Sequence, residues 1–224
     1  MTVTDVNVVK SAIFERPDDA NKGTLGSLLC VCGSYGMAGA AVMSAKGALR
    51  TGIGLAKCAL PRSIYPIVAQ TILESVYYPL SENADGRISK VNVPFLVSES
   101  CKSSATLVGC GLGVCDDTLK IVFSLIENST TPLVLDADAL NCVAKQPEIL
   151  LRKKVPIIIT PHPGEMSRLT GLATPLVNAE RERVALDFAQ KYGVVTVLKG
   201  AGTVIASPNG KVLVLSLIHI SEPT

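Results

Sequence analysis

Short apolar runs alternate along this chain with longer segments whose apolar residues recur at helical spacing. Residues 27–32 form a continuous apolar run, which is typical of a strand buried on both faces. Residues 38–51 instead carry Ala, Met and Leu at the spacing of a helix. The same patterns predict strands at 54–60, 105–108, 132–135, 155–159 and 194–198, and helices at 116–128, 139–144 and 175–192. Strands that alternate with helices predict an α/β fold with a mostly parallel sheet covered on both faces.

Three regions depart from this alternation. Residues 1–21 are polar and predict a lead-in segment before one domain at 22–215. Residues 62–103 alternate less cleanly and define no clear element. Residues 203–215 predict a hairpin, because an Asn-Gly pair between two apolar runs favours a tight turn.

Composition narrows the class of protein. The 224 residues are 48% hydrophobic and 18% charged, which predicts a substantial core and argues against disorder. The net charge is +2, no basic block occurs and Trp is absent, so the sequence predicts no nucleic-acid partner. No apolar run approaches the roughly 18 residues of a membrane helix, and the N-terminus has no signal-peptide core. We therefore expect a soluble, cytoplasmic protein without a membrane partner.

The cysteines fit the same expectation. Their number is odd and no C-x-x-C pair occurs, so the sequence does not predict a zinc site or a redox pair. Most of them lie in apolar runs, where Cys behaves as a small hydrophobic residue. We expect reduced, structural thiols in a reducing compartment.

Small, glycine-rich or charged segments follow several of the predicted strands. Open α/β sheets bind ligands beyond the carboxyl ends of their strands, so these segments together predict a nucleotide site. The segments are Gly33-Ser34 with Gly39-Ala40-Ala41, Gly109-Cys110-Gly111-Leu112-Gly113, Asp136-Ala137-Asp138, Thr160-Pro161-His162-Pro163-Gly164-Glu165 and Lys199-Gly200-Ala201-Gly202-Thr203.

The first three segments each allow a structural alternative. Residues 33–41 offer a helix N-terminus to an anion, or simply form a tight turn of small residues. Residues 109–113 are not the dinucleotide fingerprint, because the third glycine comes one residue early. We expect these residues either to form the floor of a binding site or simply to turn the chain. Asp138 is predicted to cap the next helix, whereas Asp136 could hold a Mg²⁺ shell or a ribose hydroxyl.

The last two segments carry the sharper chemistry. Two prolines fix the backbone around His162, which predicts a hydrogen bond from this side chain to a ligand. The alternative is a loop histidine without a ligand. Lys199 with its two following glycines suits a phosphate, although the segment is not a Walker A loop because no Gly-Lys-Ser/Thr occurs. A structural turn is the alternative here.

Taken in order, these segments, with Ala48-Leu49-Arg50-Thr51-Gly52 and residues 135–141, resemble the ADP- or ATP-dependent NAD(P)H-hydrate dehydratases. The resemblance covers residues 22–215. It implies a ribokinase-like, three-layer α/β/α fold with a mostly parallel central sheet. It also implies a repair reaction, in which the S-form of hydrated NADH or NADPH (NADHX or NADPHX) is phosphorylated with ADP or ATP and then loses phosphate.

The resemblance assigns site residues as well. It implies that the hydrated nicotinamide nucleotide contacts Ala41, Gly111, Gly113 and His162. It implies that ADP or ATP contacts Lys199, Gly200, Ala201, Gly202 and Thr203. Glu165 would organise Mg²⁺ through water, and the protein would form a homo-oligomer, a tetramer by family.

The sequence departs from the family pattern in one respect. The family's Gly-Gly-Ser-Gly-Asp loop, which supplies an anion hole and the expected Asp base, occurs nowhere in the chain. Residues 216–224 instead look like a non-native tail. We therefore expect no catalytic residue of that type, a fold that is incomplete at its C-terminus, an inactive chain and an uncovered apolar sheet surface.

Two other functions compete with this one. A small-molecule kinase of the hydroxyethylthiazole or pyridoxal type would share the fold. The His-Pro-Gly-Glu segment argues against it, since those enzymes usually carry Asn before the Glu. A non-catalytic nucleotide-binding module would bind ligand without turnover.

Overall fold

A computed structural model describes residues 2–3 and 23–215, and for residues 2 and 3 the backbone alone. Most of the predicted lead-in and the whole predicted tail 216–224 lie outside the described residues. The strands are β1 (Thr2–Val3), β2 (Ser27–Val31), β3 (Leu55–Pro61), β4 (Val76–Leu80), β5 (Ala105–Val108), β6 (Leu133–Leu135), β7 (Ile157–Ile159), β8 (Val195–Leu198), β9 (Thr203–Ala206) and β10 (Val212–Leu215). The α-helices are α1 (Ala38–Arg50), α2 (Tyr65–Thr71), α3 (Val93–Cys101), α4 (Asp116–Asn128), α5 (Asp138–Val143), α6 (Pro163–Thr170), α7 (Thr174–Ala179) and α8 (Arg181–Tyr192).

The strands form one mixed sheet in the order β1-β10-β9-β8-β7-β6-β5-β2-β3-β4. From β8 to β4 every neighbouring pair is parallel. Strand β9 runs antiparallel to β8, and β10 runs antiparallel to β9. The predicted parallel α/β sheet and the predicted C-terminal hairpin are both confirmed.

Helices cover one face of the sheet continuously. Apolar side chains from α3, α4, α5, α6, α7 and α8 form a single cluster with the strands on this face. The cluster includes fully buried residues as far apart as Leu29 in β2 and Leu198 in β8. Each strand contributes alternate residues, as expected for a sheet whose face is packed against helices. This face contains most of the hydrophobic core.

The opposite face is covered only in part by the described residues. A smaller cluster packs α1 and α2 against β2 and β3. The same face continues across β5, β6, β7 and β8, where the register pairs Leu107 with Val134, Ile158 and Val195 in turn. Here no described helix lies over the strands, and Ile158 is 37% exposed. The described residues therefore cover the apolar sheet surface along β6 to β8 only in part.

Two predictions from the sequence need correction. The predicted helix at 175–192 is two helices, because the backbone of Glu180 leaves the helical region between α7 and α8. Apolar periodicity does not reveal the break, since Val177 and Val184 are both buried on the same core. The region 62–103 contains α2, β4 and α3, which the sequence did not indicate.

The described residues contain no helix that is both long and apolar enough to cross a membrane. All seven cysteines lie in the described part of the chain, and each is a free thiol. Four of them are buried, which agrees with their prediction as structural residues: Cys30, Cys32, Cys58 and Cys142.

Candidate functional site

The predicted segments meet at one edge of the sheet. Strands β8, β7, β6, β5 and β2 are parallel neighbours, so their carboxyl ends point the same way. The segments that follow them therefore lie side by side: 199–203 (the Lys199 loop), 160–165 (the His162 loop), 136–138 (the Asp136 turn), 109–113 (the glycine loop) and 33–41. This is the edge at which open α/β sheets bind ligands.

An ion pair connects the Lys199 loop to the Asp136 turn. The ammonium Nζ of Lys199 lies 2.7 Å from Oδ1 of Asp136, and their side chains are 42% and 25% exposed. Burial by itself raises the pKa of the Asp136 carboxyl. The hydrogen bonds from Lys199 and Thr160, with the charge of Lys199, outweigh burial and hold that pKa below its usual value. Asp136 is therefore a carboxylate that holds the ammonium at the centre of the site.

His162 and Glu165 form a reciprocal cap at the start of α6. The imidazole Nδ1 accepts hydrogen bonds from the backbone N–H groups of Gly164 and Glu165, at 3.0 and 3.4 Å. The Glu165 carboxylate accepts in turn from the backbone N–H of His162 at 2.7 Å. This is the capping-box arrangement, with His in place of the usual Ser or Thr. The sequence did not predict this structural role for His162.

The cap leaves His162 able to face a ligand. Because Nδ1 accepts two hydrogen bonds, the proton of a neutral imidazole lies on Nε2. That atom is 3.4 Å from Oε1 of Glu165, and the His162 side chain is 50% exposed. The imidazole is thus oriented by its own helix, and its exposed half lies at the sheet edge.

Glu165 does not fit as a direct metal ligand. Its side chain is 6% exposed, and Oε2 lies near both the His162 N–H and, at 3.9 Å, the Lys199 ammonium. Oε1 faces the imidazole. Both oxygens are therefore directed at donors of the protein. In the described part of the chain, no group of three or more His, Cys, Asp or Glu side chains is arranged to hold a metal ion.

The Asp136 turn is strained and depends on Gly109. Ala137 has φ +50°, the one positive value for a non-glycine residue among those described. Such a conformation costs energy and recurs at functional sites. A Cβ on Gly109 would lie 1.9 Å from the carbonyl oxygen of Asp136. The turn can therefore take this shape only against a glycine.

Asp138 does not cap its helix as predicted. Its carboxylate instead accepts hydrogen bonds from the backbone N–H of Gly113 at 2.8 Å and from the side chain of Asn141 at 3.2 Å. The cap prediction is therefore wrong. The reason is tertiary, because the glycine loop brings a free N–H group closer to this carboxylate than the helix does.

The glycine loop is packed against neighbouring elements. Gly111 is buried below α1, where a Cβ would lie 2.7 Å from that of Ala40. A Cβ on Gly113 would lie 2.4 Å from Nε of Arg87. Ala41 is 2% exposed and packs into the core cluster under α1. Of the residues predicted to touch the nicotinamide nucleotide, the structure thus puts His162 at the open surface and Ala41 in the core.

A groove of about 640 Å³ runs between α1 and the open sheet face. Its wall includes residues from four predicted segments and from the middle of α1, which the sequence did not single out. Among these residues are Ala40, Met43, Ser44, Gly111, Asp136 and Thr160. The groove leads to the Lys199–Asp136 pair and has room for a small-molecule ligand.

The Lys199 loop exposes its backbone. Gly200 and Gly202 have φ of +155° and +71°, and Gly200 and Ala201 are exposed. The Thr203 hydroxyl closes the loop, because it accepts a hydrogen bond from the N–H of Gly200 at 3.3 Å and donates one to the carbonyl of Gly200 at 3.1 Å. Beneath the loop lies Arg181, which the sequence did not predict as a site residue.

Comparison with known proteins shows one consistent family. The family model described as NAD(P)H-hydrate dehydratase matches residues 28–219. The chain is 39% identical, over 88% of its length, to a bifunctional NAD(P)H-hydrate repair enzyme of Thermofilum pendens. It is 32% identical, over 89% of its length, to an ADP-dependent (S)-NAD(P)H-hydrate dehydratase of Neisseria meningitidis.

A solved structure agrees with the sequence relatives. The ADP/ATP-dependent NAD(P)H-hydrate dehydratase of Bacillus subtilis, co-crystallised with ATP and Mg²⁺, superposes with a TM-score of 0.77 and is 29% identical. The match covers 93% of this chain and 70% of that structure. The chain spans 37% of the Thermofilum protein and 64% of the Neisseria protein.

Proposed function

This chain belongs to the NAD(P)H-hydrate dehydratase family, and we propose that it repairs hydrated nicotinamide nucleotides. The substrate is the S-form of hydrated NADH or NADPH. ADP or ATP is the co-substrate, and the products are NADH or NADPH, phosphate, and AMP or ADP. The fold is ribokinase-like, since the chain superposes with a TM-score of 0.77 on a ribokinase-like superfamily protein of Enterococcus faecalis.

One observation carries this proposal: the exposed Lys199 loop and the oriented His162 lie at the same sheet edge, and the Glu165 carboxylate lies near both the Lys199 ammonium and the imidazole. An ammonium beside the exposed backbone of Gly200 and Ala201 suits the phosphates of ADP or ATP, which we assign to residues 199–203. The imidazole at the neighbouring strand end suits a polar group of the hydrated nicotinamide nucleotide. We assign the remaining contacts of that substrate to Gly111, Gly113 and Ala41.

The chemistry follows from the leaving group. Hydroxide leaves poorly from the hydrated ring, whereas phosphate leaves well. Transfer of the terminal phosphoryl group of ADP or ATP to the hydroxyl, with loss of its proton, gives a phosphate ester. Elimination of phosphate together with a ring proton restores the double bond of the reduced nicotinamide. Lys199 would offset the negative charge of the phosphates during transfer.

Mg²⁺ enters this scheme as part of the nucleotide substrate. The two Glu165 oxygens are already directed at protein donors, so a direct ligand role does not fit this side chain. A role through bound water remains our proposal for Glu165.

The cytoplasmic location and the homo-oligomer implied by the resemblance belong to the same proposal, and the seven free thiols suit a reducing compartment.

The test is a turnover assay with hydrated NADH, Mg²⁺ and either ADP or ATP, followed by recovery of reduced-nicotinamide absorbance. The chain is assayed beside a form that carries a Gly-Gly-Ser-Gly-Asp segment after Leu215, because that segment occurs nowhere in the sequence. We expect turnover in the extended form and little in the chain as given. Turnover in both would keep the function and make Asp136 the candidate base. Turnover in neither would overturn the function, and a panel of small-molecule kinase substrates would follow.

A further inference from the structure

The Lys199 loop lies over a single guanidinium group. Arg181, the first residue of α8, donates from Nη2 to the carbonyl of Leu198 at 2.8 Å and to that of Gly202 at 3.4 Å. A Cβ on Gly200 would lie 2.8 to 3.0 Å from the guanidinium atoms. One side chain thus contacts the loop at its start, its middle and its end.

The position of this arginine is electrostatically unfavourable for α8. A cation at the first residue of a helix faces the positive end of the helix dipole. Partial burial opposes its charge and lowers the pKa of the guanidinium. Its Nε is also buried, and no described residue accepts a hydrogen bond from it. Helix stability alone therefore does not account for Arg181.

Contact with the loop does account for it. The carbonyl groups of Leu198 and Gly202 point inward to the guanidinium, so their negative ends face away from the outer side of the loop. The outer side carries the exposed backbone of Gly200 and Ala201. An anionic phosphate that approaches this side meets fewer carbonyl oxygens, and the positive charge below adds to that of Lys199.

Arg183 provides a matched comparison within the same helix. It lies two residues further along α8 and pairs with Glu180 and Asp187, which are surface groups of the same region. Its side chain is 55% exposed. Arg183 therefore shows what a surface arginine does at this end of α8, whereas Arg181 turns to the loop.

We propose that Arg181 is a positioning residue for the nucleotide: it holds residues 199–203 in the conformation that accepts the phosphates of ADP or ATP. This inference rests on the proposed function, since it assumes that the loop binds the co-substrate. Arg181 acts through the loop backbone and does not touch the reacting atoms.

The test measures binding of Mg-ADP, Mg-ATP and NADPH by calorimetry in Arg181→Ala, Arg181→Lys and Arg183→Ala. We expect Arg181→Ala to weaken both adenine nucleotides by about tenfold or more, which is a loss of about 1.4 kcal/mol per factor of ten. NADPH affinity stays the same, because its proposed contacts lie on other strands. Arg181→Lys recovers part of the loss, since a point charge replaces the planar donor. Arg183→Ala binds as the wild type does.

A second variant covers the possibility that Arg181→Ala fails to fold. Gly200→Ala adds a methyl group against the guanidinium from the other side and should weaken the same nucleotides. In the double variant the two losses should be less than additive, because each change disturbs the same contact. Equal nucleotide affinity in wild type, Arg181→Lys and Gly200→Ala would overturn the inference. A wild type that binds neither ADP nor ATP would overturn the proposed function itself.

Discussion

The two glycine-rich loops of the site have similar sequences and opposite surroundings. In the glycine loop, Gly109 and Gly111 are pressed against Asp136 and α1, and the N–H of Gly113 is taken by Asp138. In the Lys199 loop, Gly200 and Ala201 face solvent, and a Cβ on Gly202 would meet only Val214, at 3.7 Å. Glycine allows close packing in the first loop, whereas in the second loop only Gly200 packs closely, against Arg181, and the outer side of the backbone stays accessible.

This difference separates two functions that a sequence cannot distinguish. The glycine loop sets the shape of the site by fixing the strained Asp136 turn, and that turn holds the carboxylate which pairs with Lys199. The Lys199 loop is the part that offers binding groups to a ligand. We therefore expect changes in the first loop to affect folding and changes in the second to affect binding.

The largest effect should come from Gly109→Ala. The new Cβ would lie 1.9 Å from a backbone oxygen, and the residue has φ +128°. No side-chain movement can relieve the contact or the backbone strain. We therefore expect the free energy of unfolding to fall by roughly 4 kcal/mol, or the chain not to fold. Gly202→Ala is the control, with open space and a cost of about 1 kcal/mol from its left-handed backbone. Urea unfolding of both variants measures the difference, and equal losses would contradict the comparison.

A smaller effect, on binding, should follow from Lys199→Ala. The change removes the ammonium from the proposed phosphate site and leaves Asp136 without its ion-pair partner. We expect about tenfold weaker binding of Mg-ADP or Mg-ATP, the scale of one charge-assisted hydrogen bond. Lys211→Ala, on the exposed turn between β9 and β10, should leave affinity unchanged. If the two lysine variants bind alike, Lys199 does not hold the nucleotide.

Local patterns predicted much of this structure, and the failures have a common cause. The buried strands and the β9–β10 hairpin follow from apolar runs and an Asn-Gly turn. The elements of 62–103 are short, and the helices α2 and α3 carry a proline as their second residue, Pro66 and Pro94, so no long period marks them. The capping role of His162 could have been suspected, since Glu165 stands three residues later. Arg181 could not, because its partners are loop carbonyls more than fifteen residues away that leave no pattern in the sequence.

The smallest effect, and the one that tests the link between the two loops, is the pH dependence of the Lys199–Asp136 pair. The pKa of Asp136 is below its usual value in the folded chain, so the folded state binds fewer protons at acid pH than the unfolded state does. The pair's contribution is therefore complete above the unfolded value of about 3.9 and is lost as pH falls through the lower folded value. Because Lys199 is 42% exposed, solvent screening limits this contribution to about 1 kcal/mol or less.

Other carboxylates act in the same direction, since the pKa values of Glu99 and Asp117 are also lowered. The measurement is therefore a difference: urea unfolding of the wild type and of Asp136→Asn between about pH 7 and pH 3. The wild type should be the more stable protein at neutral pH. The difference in free energy of unfolding between the two proteins should become smaller towards pH 3. A difference that stays constant would mean that the strained turn, and not the ion pair, accounts for the contribution of Asp136. The glycine loop would then support the site by shape alone.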